Sequence, residues 1–206
     1  MSNDRPYRSS LREEQARETR LRIREAARRL FTANGFSDTT VSRIAREAGV
    51  APQTVYAVFG SKGAIIAGIL ESLEDGADER GRIAEMIAVD DPHRQLRLFV
   101  AWIRALFEQG APVLRAALTA LSDPDVAAFT DRGDEARLRG CRQITGIWAE
   151  NGALRDDIEH EQAAQRLWLL TNAEQYLAAT GELGWNSDQY EQWLGDLLAS
   201  ELLKPV

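Results

Sequence analysis

Apolar residues recur at helical spacing along almost the whole chain, and nowhere do they alternate as a half-buried strand would. Ile23, Ala27, Leu30 and Phe31 mark the buried face of a first helix that Gly35 ends. Val41, Ile44, Ala45 and Ala48 follow at i, i+3, i+4 and i+7, and Gly49 supplies a turn. Val50, Val55 and Phe59 then face inward on a short helix whose other side carries Gln53, Thr54, Tyr56 and Ala57. Ser61 is placed to cap a fourth helix, predicted to run unbroken through Ile66, Ile69, Leu70, Leu73, Ala77, Ala84 and Ile87. Asp91-Pro92 opens a fifth, with Leu96, Phe99, Trp102, Ile103, Leu106 and Phe107 inward and Gly110 as its stop. Pro112 starts a sixth, ending near Leu121, and Asp123-Pro124 a short turn of helix through Phe129. A seventh runs from about Asp134 to Glu150, an eighth from Glu161 to about Thr180, and a ninth from Ser187. The prediction is an all-α chain of about nine helices.

Two short helices around a glycine, the second with small and polar residues on its free face, have the shape of a helix-turn-helix that enters a DNA major groove. The residues carrying this pattern also resemble the DNA-binding domain of the tetracycline-repressor-like (TetR) transcriptional regulators. The likeness begins with Arg22, Ile23, Ala26, Ala27, Leu30, Phe31, Gly35 and Phe36. It continues through Thr39, Thr40, Val41, Ile44, Ala45, Ala48, Gly49, Val50, Thr54, Val55, Tyr56, Phe59, Ser61 and Lys62, with no gap. Four positions depart from the family pattern. Ala51 replaces a capping Ser, Gln53 a common Gly, Val58 a common His or Tyr, and Gly63 a common acidic residue. Losing the Ser cap costs about 0.5–2 kcal/mol of local helix stability.

The resemblance implies a division into a flexible basic arm (1–15), a three-helix DNA-binding domain (16–62) and a larger ligand-binding and dimerisation domain (63–206), joined by the long fourth helix. It places Pro52, Gln53, Thr54 and Ala57 at base edges and Thr40, Tyr56 and Lys62 at phosphates, with Arg43 pointing the same way as Thr40. Gln53 is the best reader, because its amide can pair with adenine N6 and N7 together. Solvated helix surface is the competing reading of Gln53. Arg28, Arg29 and Arg46 are ordinary exposed arginines and are left out of the site.

Charge sharpens the division. The 206 residues carry a net charge of −7, but residues 1–62 hold 12 Lys or Arg against 7 Asp or Glu, a net of +5, which leaves −12 for the remainder. A basic module on an acidic body offers nucleic acid one face only. The single cysteine, Cys141, excludes an internal disulfide, and with two histidines it provides neither zinc spacing nor a nucleophile–base pair. No metal, no cofactor and no enzymatic activity are expected. The first residues lack an apolar h-region, and the longest apolar run (98–107) is too short to span a bilayer, so a cytoplasmic protein without a membrane partner is expected.

In the body, Trp102, Phe107, Phe129, Trp148 and Trp168 are many aromatics for a domain of Leu and Ala. In proteins of the resembling family such helices enclose a pocket. These five, with Cys141, Thr145 and Asn172, form the candidate site for a hydrophobic effector. Plain core packing competes for each aromatic. Trp168, Tyr176, Tyr190, Trp193, Leu194, Leu197 and Leu198 on the last two helices are the candidate homodimer surface. The expectation is a dimeric, sequence-specific regulator, most often a repressor, that a small molecule releases from a palindromic double-stranded DNA operator. A DNA-binding regulator without small-molecule gating is the alternative.

Overall fold

The computed structural model describes residues 5–76 and 79–205. Its helices are α1 (Arg5–Asn34), α2 (Val41–Ala48), α3 (Pro52–Phe59), α4 (Lys62–Gly76), α5 (Glu79–Ile87), α6 (Pro92–Leu118), α7 (Pro124–Glu150), α8 (His160–Leu170), α9 (Ala173–Leu177) and α10 (Ser187–Leu202). A π-helical turn, Ala178–Glu182, continues α9. The described residues contain no β-strand, only a lone bridge between Leu154 and Leu203. The chain is all-α, as its periodicity predicted.

Helix continuity differs from the prediction in four places. Helix α1 begins at Arg5, so residues 5–15, expected as a flexible arm, are helical, and residues 1–4 lie outside the described residues. Leu, Arg, Glu and Gln dominate from Leu11 to Arg17, and straight-chain residues lose little freedom in a helix. The helix expected as far as Ile87 is described as α4 to Gly76 and as α5 from Glu79, and residues 77 and 78 lie outside the described residues. Helix α6 runs straight through Gly110 and Pro112, the expected break. Pro112 cannot donate to the carbonyl four residues back, a cost of roughly 3 kcal/mol. The burial of Phe107, Val113, Ala116 and Ala117 around it outweighs that loss. The two segments expected on either side of residues 130–133 are likewise one helix, α7. Last, the expected helix from Glu161 to Thr180 breaks at Thr171-Asn172. There the Thr171 hydroxyl donates back to the Leu167 carbonyl (2.6 Å), and Asn172 accepts from the Gln175 amide (2.8 Å) to cap α9. Side chains that compete for backbone partners end helices.

Two compact units emerge: Met1–Glu71 with Arg115–Ala127, and Ser72–Leu114 with Ala128–Val206. The expected cut at 62/63 falls inside the first. The reason lies in α4, whose Ile65, Ile66 and Ile69 are buried, and in Phe59, which lies against Gly68. The first unit's core combines Ile23, Ala27 and Phe31 of α1 with Ile44, Ala45 and Val55, and Phe31 stacks on Phe36 at 5.7 Å.

The second unit buries Leu96, Ile103 and Phe107 of α6, Cys141, Ile144, Thr145 and Trp148 of α7, Leu167 of α8, and Tyr190, Leu194 and Leu198 of α10. The fully buried indole of Trp148 is satisfied: its Nε1 donates to Gln95 Oε1 (2.7 Å), and Gln95 Nε2 donates to the Val89 carbonyl (2.6 Å). Asp91 caps α6 by accepting from the His93 amide (3.0 Å), as the Asp-Pro pair predicted.

Burial pushes the Cys141 thiol from its ordinary 9.0 up to about 11, with the charge of Arg137 opposing. The folded chain therefore holds a proton that the unfolded chain gives up first. That contribution is complete below pH 9 and is lost as pH rises through about 11. Cys141→Ala is expected to flatten the fall in stability across that window by on the order of 2 kcal/mol, read from urea unfolding at a series of pH values.

Candidate nucleic-acid interface

The local sequence builds the helix-turn-helix from both sides of its turn. Thr40 caps α2, its hydroxyl oxygen accepting from the Arg43 amide at 3.2 Å. Gly49 adopts φ 67°, ψ 38°, the left-handed conformation that closes a helix, and Val50 N then donates to the Ala45 carbonyl at 2.9 Å. Pro52 occupies the first turn of α3, where its missing N–H costs nothing. Ala51 contributes no side-chain cap, so the substitution of the family's Ser has the consequence expected of it.

Helix α3 has one fully buried residue, Val55, and an open face carrying Gln53, Tyr56 and Ala57. Tyr56 is 53% exposed, its ring on this open face. Thr40 is also exposed, and its hydroxyl hydrogen is not used in capping. Pro52 and Thr54 are half-buried at the rim of this face. Arg43 is half-buried, and its Nη1 donates to the Asp38 carbonyl at 3.2 Å.

Lys62 is placed differently from the prediction. Its ammonium donates to the carbonyls of Phe36 (2.8 Å) and Thr39 (3.1 Å) and lies 4.0 Å from the centre of the Phe36 ring. It faces protein, because the turn between α1 and α2 offers carbonyls within reach. Charge alone could not have found Arg20, whose Nη2 donates to the Val58 carbonyl (3.0 Å) and whose guanidinium carbon lies 4.5 Å from the centre of the Phe59 ring. Arg28 and Arg29, left out of the site on sequence grounds, bond to Glu25 (3.2 Å) and Glu47 (3.1 Å).

The eight candidate effector residues do not form one free-standing site. Cys141, Thr145 and Trp148 share the buried stripe of α7, but the Thr145 hydroxyl donates to the Cys141 carbonyl (2.8 Å) and Trp148 to Gln95. Trp168 donates to the Asp134 carbonyl (3.2 Å) beneath the Arg137 guanidinium, and Asn172 is spent as the cap of α9. Thr145, Trp148, Trp168 and Asn172 are thus each engaged in a hydrogen bond within the chain. Phe107 is buried, its ring centre 5.7 Å from that of Tyr176, while Phe129 and Trp102 are half-buried. Trp102 Nε1, Gln175 Oε1 and Tyr190 Oη are buried without a hydrogen-bond partner. A separate groove of about 300 Å³ between α6 and α10 is lined by Leu96, Arg97, Val100, Glu191 and Gly195 among others, and by none of the eight.

Four of the seven candidate dimer residues, Tyr176, Tyr190, Leu194 and Leu198, point into the core of their own chain. Tyr190 stands edge-on to Tyr176 at 5.0 Å. Trp193 is exposed, and Trp168 and Leu197 are half-buried. The exposed apolar residues that sequence missed nearby are Leu169 and Leu183. A helix apolar all round does not declare which stripe faces its own chain.

Residues 23–69 match the family model for bacterial regulatory proteins of the tetR family. The chain is 38% identical over 79 residues to the HTH-type transcriptional regulator TtgR of Pseudomonas putida, covering 38% of each protein. It is 31% identical over 116 residues to UidR of Escherichia coli (strain K12), covering 56% of this chain and 58% of that one. The match thus spans under two thirds of either relative. Over 91% of its length the fold is similar to that of 99% of a transcriptional regulator from Saccharomonospora viridis solved with choline, with a TM-score of 0.74 and 23% identity. Restoring the missing cap with Ala51→Ser is expected to stabilise α3 by about 0.5–2 kcal/mol, measured as slower amide exchange from Val55 to Phe59. The matched family model falls on the segment whose helix-turn-helix has just been described, and residues 23–69 are similar to the DNA-binding segment of bacterial regulatory proteins of the tetR family.

Proposed function

We propose that this chain is a homodimeric, sequence-specific DNA-binding regulator of transcription that works in the cytoplasm and represses by occupying a palindromic operator. The observation carrying the reading is the outward face of α3, where Gln53, Tyr56 and Ala57 are exposed while Val55 anchors the helix from behind. Gln53 reads a base edge, and Thr40 and Tyr56 hold phosphates on either side. Two copies must present α3 about 34–36 Å apart to read two half-sites. The exposed Leu169, Leu183 and Trp193, with Trp168 and Leu197, supply the apolar surface for pairing.

A small hydrophobic molecule releases the operator. Support for such an effector comes from the three buried polar atoms without partners, since each costs free energy that a bound group could recover. The choline complex of the S. viridis regulator is a case of a small molecule held by this fold. Reversing a 99:1 preference takes about 5.5 kcal/mol of differential binding, a demand that two sites per dimer halve. The rival reading, regulation without a small molecule, is favoured by the four candidate effector residues already engaged within the chain.

Binding to duplexes from the region upstream of the chain's own gene tests the DNA reading. Affinity is expected to fall about 10³–10⁵-fold from 50 to 200 mM salt if the dimer makes some 6–10 phosphate contacts. Gln53→Ala is expected to reduce discrimination against a changed base by about 1–3 kcal/mol in competition assays. A folded dimer that binds no duplex at low salt would end the proposal. For the effector, Tyr190→Phe removes the buried unpartnered hydroxyl, so it is expected to raise the melting temperature of the free protein by the equivalent of about 1 kcal/mol or more. It should also shrink the shift caused by an active compound from a small-molecule panel. Absence of any shift across the panel would favour the rival.

A further inference from the structure

Helix α3 ends at Phe59, and the chain turns into α4 through Gly60 at φ 83°, ψ −52°. That conformation is open to glycine and strained for other residues, and glycine is the loosest link a backbone can have. Local bonds close the two helix ends, Gly60 N donating to the Tyr56 carbonyl (2.8 Å) and the Ser61 hydroxyl oxygen accepting from the Ala64 amide (2.9 Å), but the glycine between them leaves the angle at which α3 is held to more distant contacts.

Two cations bracket this hinge. On its near side, Arg20 donates to the carbonyl of Val58 (3.0 Å) and lies over the ring of Phe59 at 4.5 Å, so two successive residues at the end of α3 are tied to α1. The Val58 carbonyl is one of the four that a helix end leaves without intrahelical partners, and a cation there is favoured by the helix dipole. On the far side, Lys62 donates to the carbonyls of Phe36 (2.8 Å) and Thr39 (3.1 Å) and lies 4.0 Å from the centre of the Phe36 ring. The turn that receives it is firm: Thr39 is fully buried with its hydroxyl 2.8 Å from the Gly35 carbonyl, and Phe36 stacks on Phe31. Each cation thus combines a carbonyl with an aromatic face, and each is aimed at protein.

We infer that Arg20 and Lys62 are positioning residues that lock the Gly60 hinge, and so set the presentation of α3, rather than ligands of DNA phosphates. The inference rests on the DNA-binding reading above. Salt dependence separates the two roles. A phosphate ligand releases a counterion, so its loss lowers the slope of log K against log salt by about one per site, whereas loss of a positioning residue weakens binding at every salt concentration and leaves the slope alone.

The experiment uses the full chain, a labelled duplex selected from a random-sequence pool, and anisotropy titrations from about 50 to 200 mM KCl. Arg20→Ala and Lys62→Met are each expected to weaken binding about tenfold at an unchanged slope. Arg20→Lys keeps the charge but loses the planar stack, so it should stay as weak as Arg20→Ala, whereas a phosphate ligand would be restored by it. Phe59→Leu, which removes a ring and no charge, decides the matter should an alanine or methionine variant fail to fold. Weaker binding with the wild-type slope supports the inference. A reduced slope in Arg20→Ala or Lys62→Met, rescue by Arg20→Lys, or unchanged affinity in the folded variants overturns it. Wild-type chain that selects no duplex would instead remove the DNA-binding reading, and this inference with it.

Discussion

Holding a helix of eight residues still is the constraint on which the rest of this protein depends. Alone in water a helix that short does not persist, because nucleation costs more than so few hydrogen bonds return. Helix α3 also lacks a side-chain cap at Ala51 and buries only Val55 completely. Its order must therefore come from outside: from the Gly49 turn that aims it, the α1–α2 core that receives Val55, and the cations on either side of Gly60. A groove-reading surface of small and polar residues cannot contribute to its own burial, so the support has to be supplied by its neighbours.

This division of labour changes how the positive charge of the first 62 residues is understood. Arg20 and Lys62 face carbonyls and rings, and Arg28 and Arg29 bond to carboxylates. The net positive field of the module still favours an anionic partner, since charge acts at a distance whatever its nearest partner. Contact is a different matter. On the function proposed above it falls to hydroxyls and amides on the open face, led by Thr40, Gln53 and Tyr56.

The second unit shows the opposite arrangement, with polar groups buried among apolar ones. Trp148 and Gln95 satisfy each other, and Thr145 and Thr171 bond back to their own helices. Against that background the unpartnered Tyr190 hydroxyl stands out, and burial pushes its pKa up to about 12, with neighbouring Tyr176 adding to the shift. It stays a neutral phenol at any ordinary pH, available as a donor or acceptor.

Periodicity, turn residues and caps are written in residues three or four apart. The all-α class, the helix-turn-helix, Gly49 as its turn, Ser61 and Asp91 as caps and the missing cap at Ala51 could therefore be read directly from the order of amino acids. What followed from distant partners could not. Pro112 looked like a break until the buried residues around it were known, and Thr171-Asn172 looked continuous because the side-chain bonds that interrupt it leave no periodic trace. Lys62 meets Phe36 from 26 positions away and Arg20 meets Val58 from 38. Which stripe of an apolar helix is core and which is left outside, as with Tyr190 and Trp193, likewise depends on neighbours that only packing brings together. Local order specified the elements; tertiary structure decided what each long side chain touches, because reach and direction exist only once the backbone is folded.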